Sequence, residues 1–204
     1  MLQSNRLTKH LVAAAAATAG IAAAAQAAIV YQSVSINIPD NIDGLYINVV
    51  TGATGTAGGS TAGWDINPYS AAAGQFNLWG PTANTYFSSN GTGTGSFNLA
   101  AGTVIGGADT LFFRPGGGTN LAPQFNLNSN QNLIGFRFVN EANGNQVHFG
   151  WARIQFGANA GIRTITEIAY ESVAGQSIQA GFVPAPGALA VLGLAGVGNR
   201  RRRR

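Results

Sequence analysis

The sequence contains no cysteine and few charged residues. Asp, Glu, Lys and Arg make up 9% of its 204 residues, whereas a typical soluble domain has about 25%. Without cysteine no disulfide can stabilise the fold, so a stable domain has to rely on a buried apolar core. The low charge argues against an ordinary cytosolic enzyme.

Basic residues are scarce in the middle of the chain. The formal net charge of +4 arises from Arg6 and Lys9 near the start and from five arginines at the end. The part between them has no lysine, and its four arginines and seven acids give 4 − 7 = −3. Because recognition of a phosphate backbone requires clustered Lys and Arg, we expect no nucleic-acid partner. The internal arginines, which are dispersed and expected to be solvated, are Arg114, Arg137, Arg153 and Arg163.

Residues 1–27 have the three-part pattern of a secretory signal peptide. A short basic region ends at His10, and residues 11–25 are almost all alanine. Ala25 and Ala27 are the small residues that signal peptidase requires, which places the cut before Ala28. The general secretory route is preferred because no twin arginine precedes the apolar run. The alternative is an alanine-rich helix at the start of a domain, since alanine has the highest helix propensity.

Residues 183–204 also have three parts, which are a small-residue motif with proline, an apolar run and an arginine cluster. The motif consists of Val183, Pro184, Ala185, Pro186 and Gly187, and the cluster consists of Arg200, Arg201, Arg202, Arg203 and Arg204. Arginines stay on the cytoplasmic side of a membrane, so the cluster acts as a stop that leaves the preceding domain outside. The apolar run is shorter than the ~20 residues of a spanning helix. This favours transient anchoring in the inner membrane, with a short permanent anchor as the alternative.

The segment VPAPGALAVLGLAGVGNRRRRR resembles the PEP-CTERM sorting tail of Gram-negative bacteria. That tail is also catalogued as an ice-binding-protein C-terminal domain, although it implies no ice binding. The segment departs from the Pro-Glu-Pro pattern, since Ala185 stands between the two prolines. The resemblance implies recognition by an exosortase-type enzyme, cleavage near the motif, and release to the cell surface or to an exopolysaccharide matrix such as a biofilm.

Residues 28–182 show the period-two alternation of short β-strands and no extended helical periodicity. The alternation is clearest in the segments 34–38, 75–78, 97–99, 134–138, 147–152 and 164–170. Stretches rich in Gly, Ser, Thr and Asn separate them and indicate turns. We expect roughly nine to eleven strands in one antiparallel β-sandwich or jelly-roll-like domain. This all-β domain would lie between the signal-peptide helix and a short C-terminal hydrophobic helix.

Four segments of this region are similar to a group of secreted PEP-CTERM proteins. They are GLYINVVTGATG, GWDINPY, GFRFVNEANGNQVHFGWARIQF and AYESVAGQSIQAG. The similarity supports one domain from Ile29 to about Gly181. It adds no catalytic residue, since the mature region of that group has no established activity.

Candidate catalytic residues are few. His148 is the only histidine that remains after removal of a signal peptide, and we expect it on the polar face of its strand. Glu167 and Glu171 share a strand face about 13 Å apart at ~3.3 Å per residue. Paired glycosidase carboxylates lie roughly 5–9.5 Å apart, so these two do not form an obvious acid and base. We therefore predict no catalytic set.

One turn is rich in oxygen ligands. Asp40 and Asp43 flank Asn41, and Gly44 follows them. Calcium favours such ligands, but the spacing of an EF-hand loop is absent. An Asx-type turn is therefore favoured over a calcium site, and we predict no metal ion.

Aromatic residues are the remaining candidates, because flat rings can stack on sugars. Trp64, Tyr69 and Trp79 are the candidate ligand-binding residues. Aromatic residues of strands are more often buried, but Trp64 and Tyr69 border a glycine-rich loop. We therefore expect exposed and buried positions equally for these two residues. Trp151 lies in phase with Val147 and Phe149 and is expected in the core.

Together these patterns favour a non-enzymatic protein of the cell surface or of an exopolysaccharide-associated extracellular matrix. It would need no cofactor. The expected partners are signal peptidase and an exosortase-type enzyme, and an exopolysaccharide is a candidate partner. The alternative is a secreted carbohydrate-binding module that uses exposed aromatics, and a hydrolase acting through carboxylates is the least favoured function.

Overall fold

The structure, a computed structural model, describes residues 28–81, 86–89, 96–106, 112–114 and 120–183. The predicted signal peptide, with Ala25 and Ala27, lies outside the described residues. So do residues 184–187 and 200–204 of the predicted tail, and with them the two helices expected at the ends of the chain. Within the described ranges no helix is long and apolar enough to cross a membrane.

The described chain is predominantly β, as the alternation predicts. It contains twelve strands and three single-turn 3₁₀ helices. The strands are β1 (Ile29–Asn37), β2 (Tyr46–Ile47), β3 (Thr54–Gly55), β4 (Asn67–Tyr69), β5 (Asn77–Trp79), β6 (Tyr86–Ser89), β7 (Val104–Ile105), β8 (Phe112–Arg114), β9 (Ser129–Asn140), β10 (Gln146–Phe156), β11 (Arg163–Glu171) and β12 (Ile178–Gln179). The 3₁₀ helices are Gly58–Ser60, Ala122–Gln124 and Glu141–Asn143.

Six strands form one antiparallel sheet in the order β1-β11-β10-β9-β6-β8. The longest strands, β9, β10 and β11, are neighbours in it. Three two-stranded antiparallel sheets, β2–β3, β4–β5 and β7–β12, accompany it. The predicted all-β antiparallel class is therefore confirmed.

Both faces of the large sheet are buried. Because successive side chains of a strand point to opposite faces, alternate residues of β9 and β10 belong to two different apolar clusters. The first cluster includes Ile47, Leu78, Ile134, Phe136, Phe138, Ala152 and Ile154. The second includes Ile105, Leu133, Phe149, Trp151, Ala169 and Ile178. Residues of β2 and β5 thus pack on one face and residues of β7 and β12 on the other, and the predicted burial of Trp151 is confirmed.

The expected strand at 97–99 is not formed. Phe97 and Leu99 are buried, as their alternation suggests, but neither lies in a strand. The amide of Phe97 donates to the side chain of Gln124 at 2.8 Å, and the amide of Leu99 donates to the carbonyl of Leu133 at 2.8 Å. The Gln124 side chain therefore accepts a hydrogen bond that the backbone of a neighbouring strand would accept in a sheet.

The alternation expected along β11 is interrupted by a bulge. Glu167 lies opposite Arg153, but Ile165 lies opposite Ile154, so β11 has one extra residue, Thr166, at this point. An extra residue reverses the face of all those that follow it. Ile165 therefore joins Ile168 in the first cluster, whereas the sequence predicts Thr166 at that position.

One arginine, Arg163 at the start of β11, is buried rather than solvated, with 3% of its surface exposed. Its guanidinium donates to the carbonyls of Pro39 at 2.7 Å and of Ala160 at 3.1 Å, to the Ser70 hydroxyl at 2.7 Å, and to the carbonyl of Gln75. Burial lowers the pKa of this guanidinium to about 10, and the nearby Asp40 carboxylate acts in the opposite direction.

Arg163 also lies over the ring of Phe76, 5.3 Å from its centroid, and 4.0 Å from Asp40. It thereby joins the end of β1 to the turn between β4 and β5. Arg153 is not free in solvent either, since it donates to Glu167 at 2.8 Å. The expectation that the internal arginines are solvated is therefore wrong for Arg153 and Arg163, because each of them binds residues of other strands or loops.

We predict that Arg163→Lys lowers the free energy of unfolding by about 2–4 kcal/mol. Lysine keeps the charge, but its single ammonium cannot reach the acceptors that the planar guanidinium reaches. The matched control is Arg153→Lys, where a partly exposed pair should change stability by about 1 kcal/mol or less. Urea unfolding measures both, and equal losses in the two variants would contradict the role assigned to Arg163.

Candidate functional site

An open cleft of about 260 Å³ contains two of the three aromatic residues selected from the sequence. It is lined by Ile42, Tyr46, Asn67, Tyr69 and Trp79. Trp79 is 47% exposed and Ile42 is 64% exposed, which is uncommon for large apolar side chains that are close together. We call these five residues the aromatic cleft.

Strand pairing brings Tyr69 and Trp79 to one side of the β4–β5 hairpin. Asn67 lies opposite Trp79, and Tyr69 lies opposite Asn77. Tyr69 and Trp79 are therefore diagonal neighbours on the same face. Leu78 points to the other face and is fully buried in the first cluster, so the hairpin is anchored by one face and presents its aromatics on the other.

The segment from Asn41 to Leu45 is attached to β4 by hydrogen bonds and places Ile42 at the cleft. Asn41 accepts the amide of Gly44 at 2.9 Å, and the side chain of Asn67 donates to the carbonyl of Asp43 at 3.1 Å. Gly44 has φ +61°, and a Cβ atom there would lie 2.4 Å from the Asn67 Oδ1 atom. Only glycine allows this close approach.

Trp64 does not line the cleft. It is partly buried and packs edge to face on Tyr46, with ring centroids 4.8 Å apart and an interplanar angle of 90°. Trp64 therefore packs on the cleft residue Tyr46 without lining the cleft itself. The sequence analysis missed Tyr46, Asn67 and Ile42, and the one available signal was an isolated isoleucine within a polar turn.

His148 lies in the core rather than on a polar face, and it is fully buried. Its Nδ1 atom lies 2.7 Å from the carbonyl oxygen of Glu171, and its Nε2 atom lies 3.1 Å from the side-chain amide nitrogen of Asn143. These contacts require Nδ1 to donate and Nε2 to accept. Phe138 and Tyr170 pack against the ring, so the imidazole has a structural role.

The carboxylates selected from the sequence are held by separate partners. Glu167 pairs with Arg153, and Glu171 is 3% exposed and accepts backbone amides. Asp40 accepts the Ser70 hydroxyl and the amide of Gly74, and these hydrogen bonds with the charge of Arg163 lower its pKa. In the described part of the chain no three His, Cys, Asp or Glu side chains are grouped so that they could hold a metal ion.

Asp65 is a buried acid that the sequence analysis did not select. It is 2% exposed, and its Oδ2 atom accepts the amide of Val49 at 2.7 Å. Burial raises the pKa of Asp65 to about 8, and the charge of Glu141 adds to this effect, while the Val49 hydrogen bond opposes it. Glu141 lines a second cavity, of about 380 Å³, together with Asn48 and other residues of the neighbouring loops.

The raised pKa of Asp65 predicts a pH-dependent stability. The folded protein keeps the Asp65 proton up to about pH 8, whereas the unfolded chain releases it near pH 4. The free energy of unfolding should therefore fall as the pH rises from about 4 to 8. Asp65→Asn keeps an acceptor for Val49 without the charge, so it should raise the free energy of unfolding at pH 8 by about 2 kcal/mol or more.

Chemical denaturation at pH 5 and pH 8 measures this difference. The control is Asp43→Asn, which removes the charge of an exposed side chain. Parallel pH profiles for the wild type and Asp65→Asn would refute the assignment.

No protein-family model, curated protein or solved structure matches this chain. The cleft and the buried acids are therefore assigned from the geometry of this chain.

Proposed function

We propose that this protein is exported, is sorted through its C-terminal tail by an exosortase-type enzyme, and acts without catalysis at the cell surface or in an exopolysaccharide matrix. We propose further that the aromatic cleft binds a sugar residue of a polysaccharide there. The observation that carries the second proposal is the exposure of Trp79 beside Tyr69, Tyr46 and an asparagine.

The composition of the cleft favours sugar over other ligands. A pyranose has apolar C–H faces that pack on aromatic rings and hydroxyl groups that pair with amide and phenol groups. Two tyrosines, one tryptophan and Asn67 supply both kinds of contact. The volume of about 260 Å³ is at the lower limit of pockets that enclose drug-sized ligands, which suits one sugar residue of a longer chain.

The ligand should be a neutral polysaccharide. Among the described residues that line the cleft, none is Asp, Glu, Lys, Arg or His. Residues 80–85, which follow Trp79, are Gly, Pro, Thr, Ala, Asn and Thr. Asp43, which follows the cleft residue Ile42, is exposed, and its charge would repel the carboxylates of a polyuronate.

In the protein that we propose, the first apolar cluster would be enclosed by two layers of β-strands. The first apolar cluster lies between the large sheet and the β2–β3 and β4–β5 hairpins, and this arrangement supports the proposal of a β-sandwich-like domain. In such a domain the cleft lies on the outer side of the smaller layer, because Leu78 faces the core and Trp79 faces solvent.

We predict that the secreted protein is retained by a neutral polysaccharide and that Trp79→Ala weakens this retention at least roughly tenfold, because the stacking face is lost. Trp79→Phe keeps an aromatic face and should keep most of the affinity. Affinity electrophoresis in gels that contain a neutral glucan measures the effect.

Phe182→Ala is the matched control, since Phe182 is 48% exposed but does not line the cleft. Retention that is unaffected by Trp79→Ala, or a stronger retention by a polyuronate, would reject the cleft as a neutral-sugar site.

The sorting tail predicts a defined mature protein. Mass spectrometry of the protein from its native host should find an N-terminus at Ala28 and a C-terminus upstream of Ala188. Replacing the five terminal arginines by serine removes the charge that stops the segment in the membrane, so the precursor should leave the cell with its C-terminal segment intact. Peptides from 192–199 in the mature surface protein would instead favour a permanent anchor.

A further inference from the structure

The first described residue, Ala28, is attached to a buried carboxylate. The backbone nitrogen of Ala28 lies 3.0 Å from the Oε1 atom of Glu171. The carbonyl of Ala28 accepts the amide of Ser172 at 3.0 Å, and the next residue, Ile29, pairs with Glu171 in the β1–β11 ladder. The start of β1 is therefore held in register beside this acid.

The carboxylate of Glu171 is in an unusual environment for a negative charge. Its surface is 3% exposed, and the same Oε1 atom also accepts the amide of Val173 at 3.0 Å. In the part of the chain that the structure describes, no arginine or histidine forms a salt bridge with Glu171. His148 contacts only the backbone carbonyl of this residue. A buried carboxylate that has only neutral donors is poorly compensated.

We propose that Glu171 is the binding site for the α-ammonium group that signal-peptide removal creates on Ala28. This inference rests on the export part of the proposed function. Hydrolysis of the peptide bond between Ala27 and Ala28 consumes one water molecule. It leaves a carboxylate on the departing Ala27 and an amino group on Ala28, which takes up a proton at neutral pH.

Processing then converts a neutral hydrogen bond into an ion pair at the same position. Charge-assisted hydrogen bonds are roughly twice as strong as neutral ones, and Glu171 gains the positive charge that it lacks. Cleavage thus stabilises the end of β1 on the edge of the large sheet. A cut one or two residues further along would remove the group that contacts Glu171.

The sequence offers a specific chemical test. Lys9 is the only lysine of the chain and leaves with the signal peptide. The α-amino group of Ala28 is then the only primary amine of the processed protein. An amine-reactive acetylating reagent therefore modifies this one position, and the acetylated nitrogen keeps its N–H donor without the charge.

The experiment compares the processed protein, recovered after export of the full chain, with its Glu171→Gln variant. We expect acetylation of the wild type to raise its unfolding constant roughly five- to tenfold and to have little effect in Glu171→Gln. We also expect folded wild type to react with the reagent several times more slowly than Glu171→Gln, because the ion pair favours the protonated ammonium and so lowers the fraction of free amine that can attack the reagent.

Several results would overturn the inference. Equal stability of the free and acetylated wild type would do so, and this comparison needs no variant to fold. A processed protein that begins at a residue other than Ala28 would also overturn it. Failure of export or of processing altogether would reject the proposed function as well, whereas a correct N-terminus without the ion pair would reject only this inference.

Discussion

The hydrogen bonds of the buried Arg163 hold together the elements that carry the candidate site. Its guanidinium contacts the carbonyls of Pro39 and Gln75 and the hydroxyl of Ser70. Pro39 precedes the Asn41 turn, and Ser70 and Gln75 lie between β4 and β5. This turn and the β4–β5 hairpin supply most of the aromatic cleft. Burial of this guanidinium removes its hydration, which is unfavourable. The four hydrogen-bond acceptors and the Asp40 carboxylate therefore have to be positioned around it to replace the lost water. The shape of the cleft thus depends on a residue that does not line it.

Three of the few ionisable residues, Asp65, Arg163 and Glu171, lie inside the protein. Arg163 cross-links loops, Glu171 accepts the amide of Ala28 just before β1, and Asp65 accepts the amide of Val49 within the core. Asp65 makes the stability of the folded state depend on pH, because the unfolded chain releases its proton at a lower pH, and we propose that Glu171 links the stability to signal-peptide removal. The described residues that line the cleft carry no charge, which fits a ligand that is recognised by stacking and hydrogen bonds.

Part of the candidate site could be predicted from the sequence. Tyr69 and Trp79 were selected because flat rings can stack on sugars, and both line the cleft. Tyr46 and Asn67 could not be selected, since their place depends on the pairing of Asn67 with Trp79 and on the close approach allowed by Gly44. Trp64 was selected as well, but it packs on Tyr46, is partly buried and does not line the cleft.

Period-two alternation by itself determined that the chain is predominantly β and that Ile134, Phe136 and Phe138 share one face of their strand. It did not determine what covers each face. The neighbouring positions of β10 that alternate with Trp151 are buried as well. His148, which we expected on a polar face, therefore lies in the core. The extra residue Thr166 also reverses the alternation within β11. Alternation is a local property of one strand, whereas burial and register depend on neighbouring strands that are distant in sequence, so only the tertiary structure decided them.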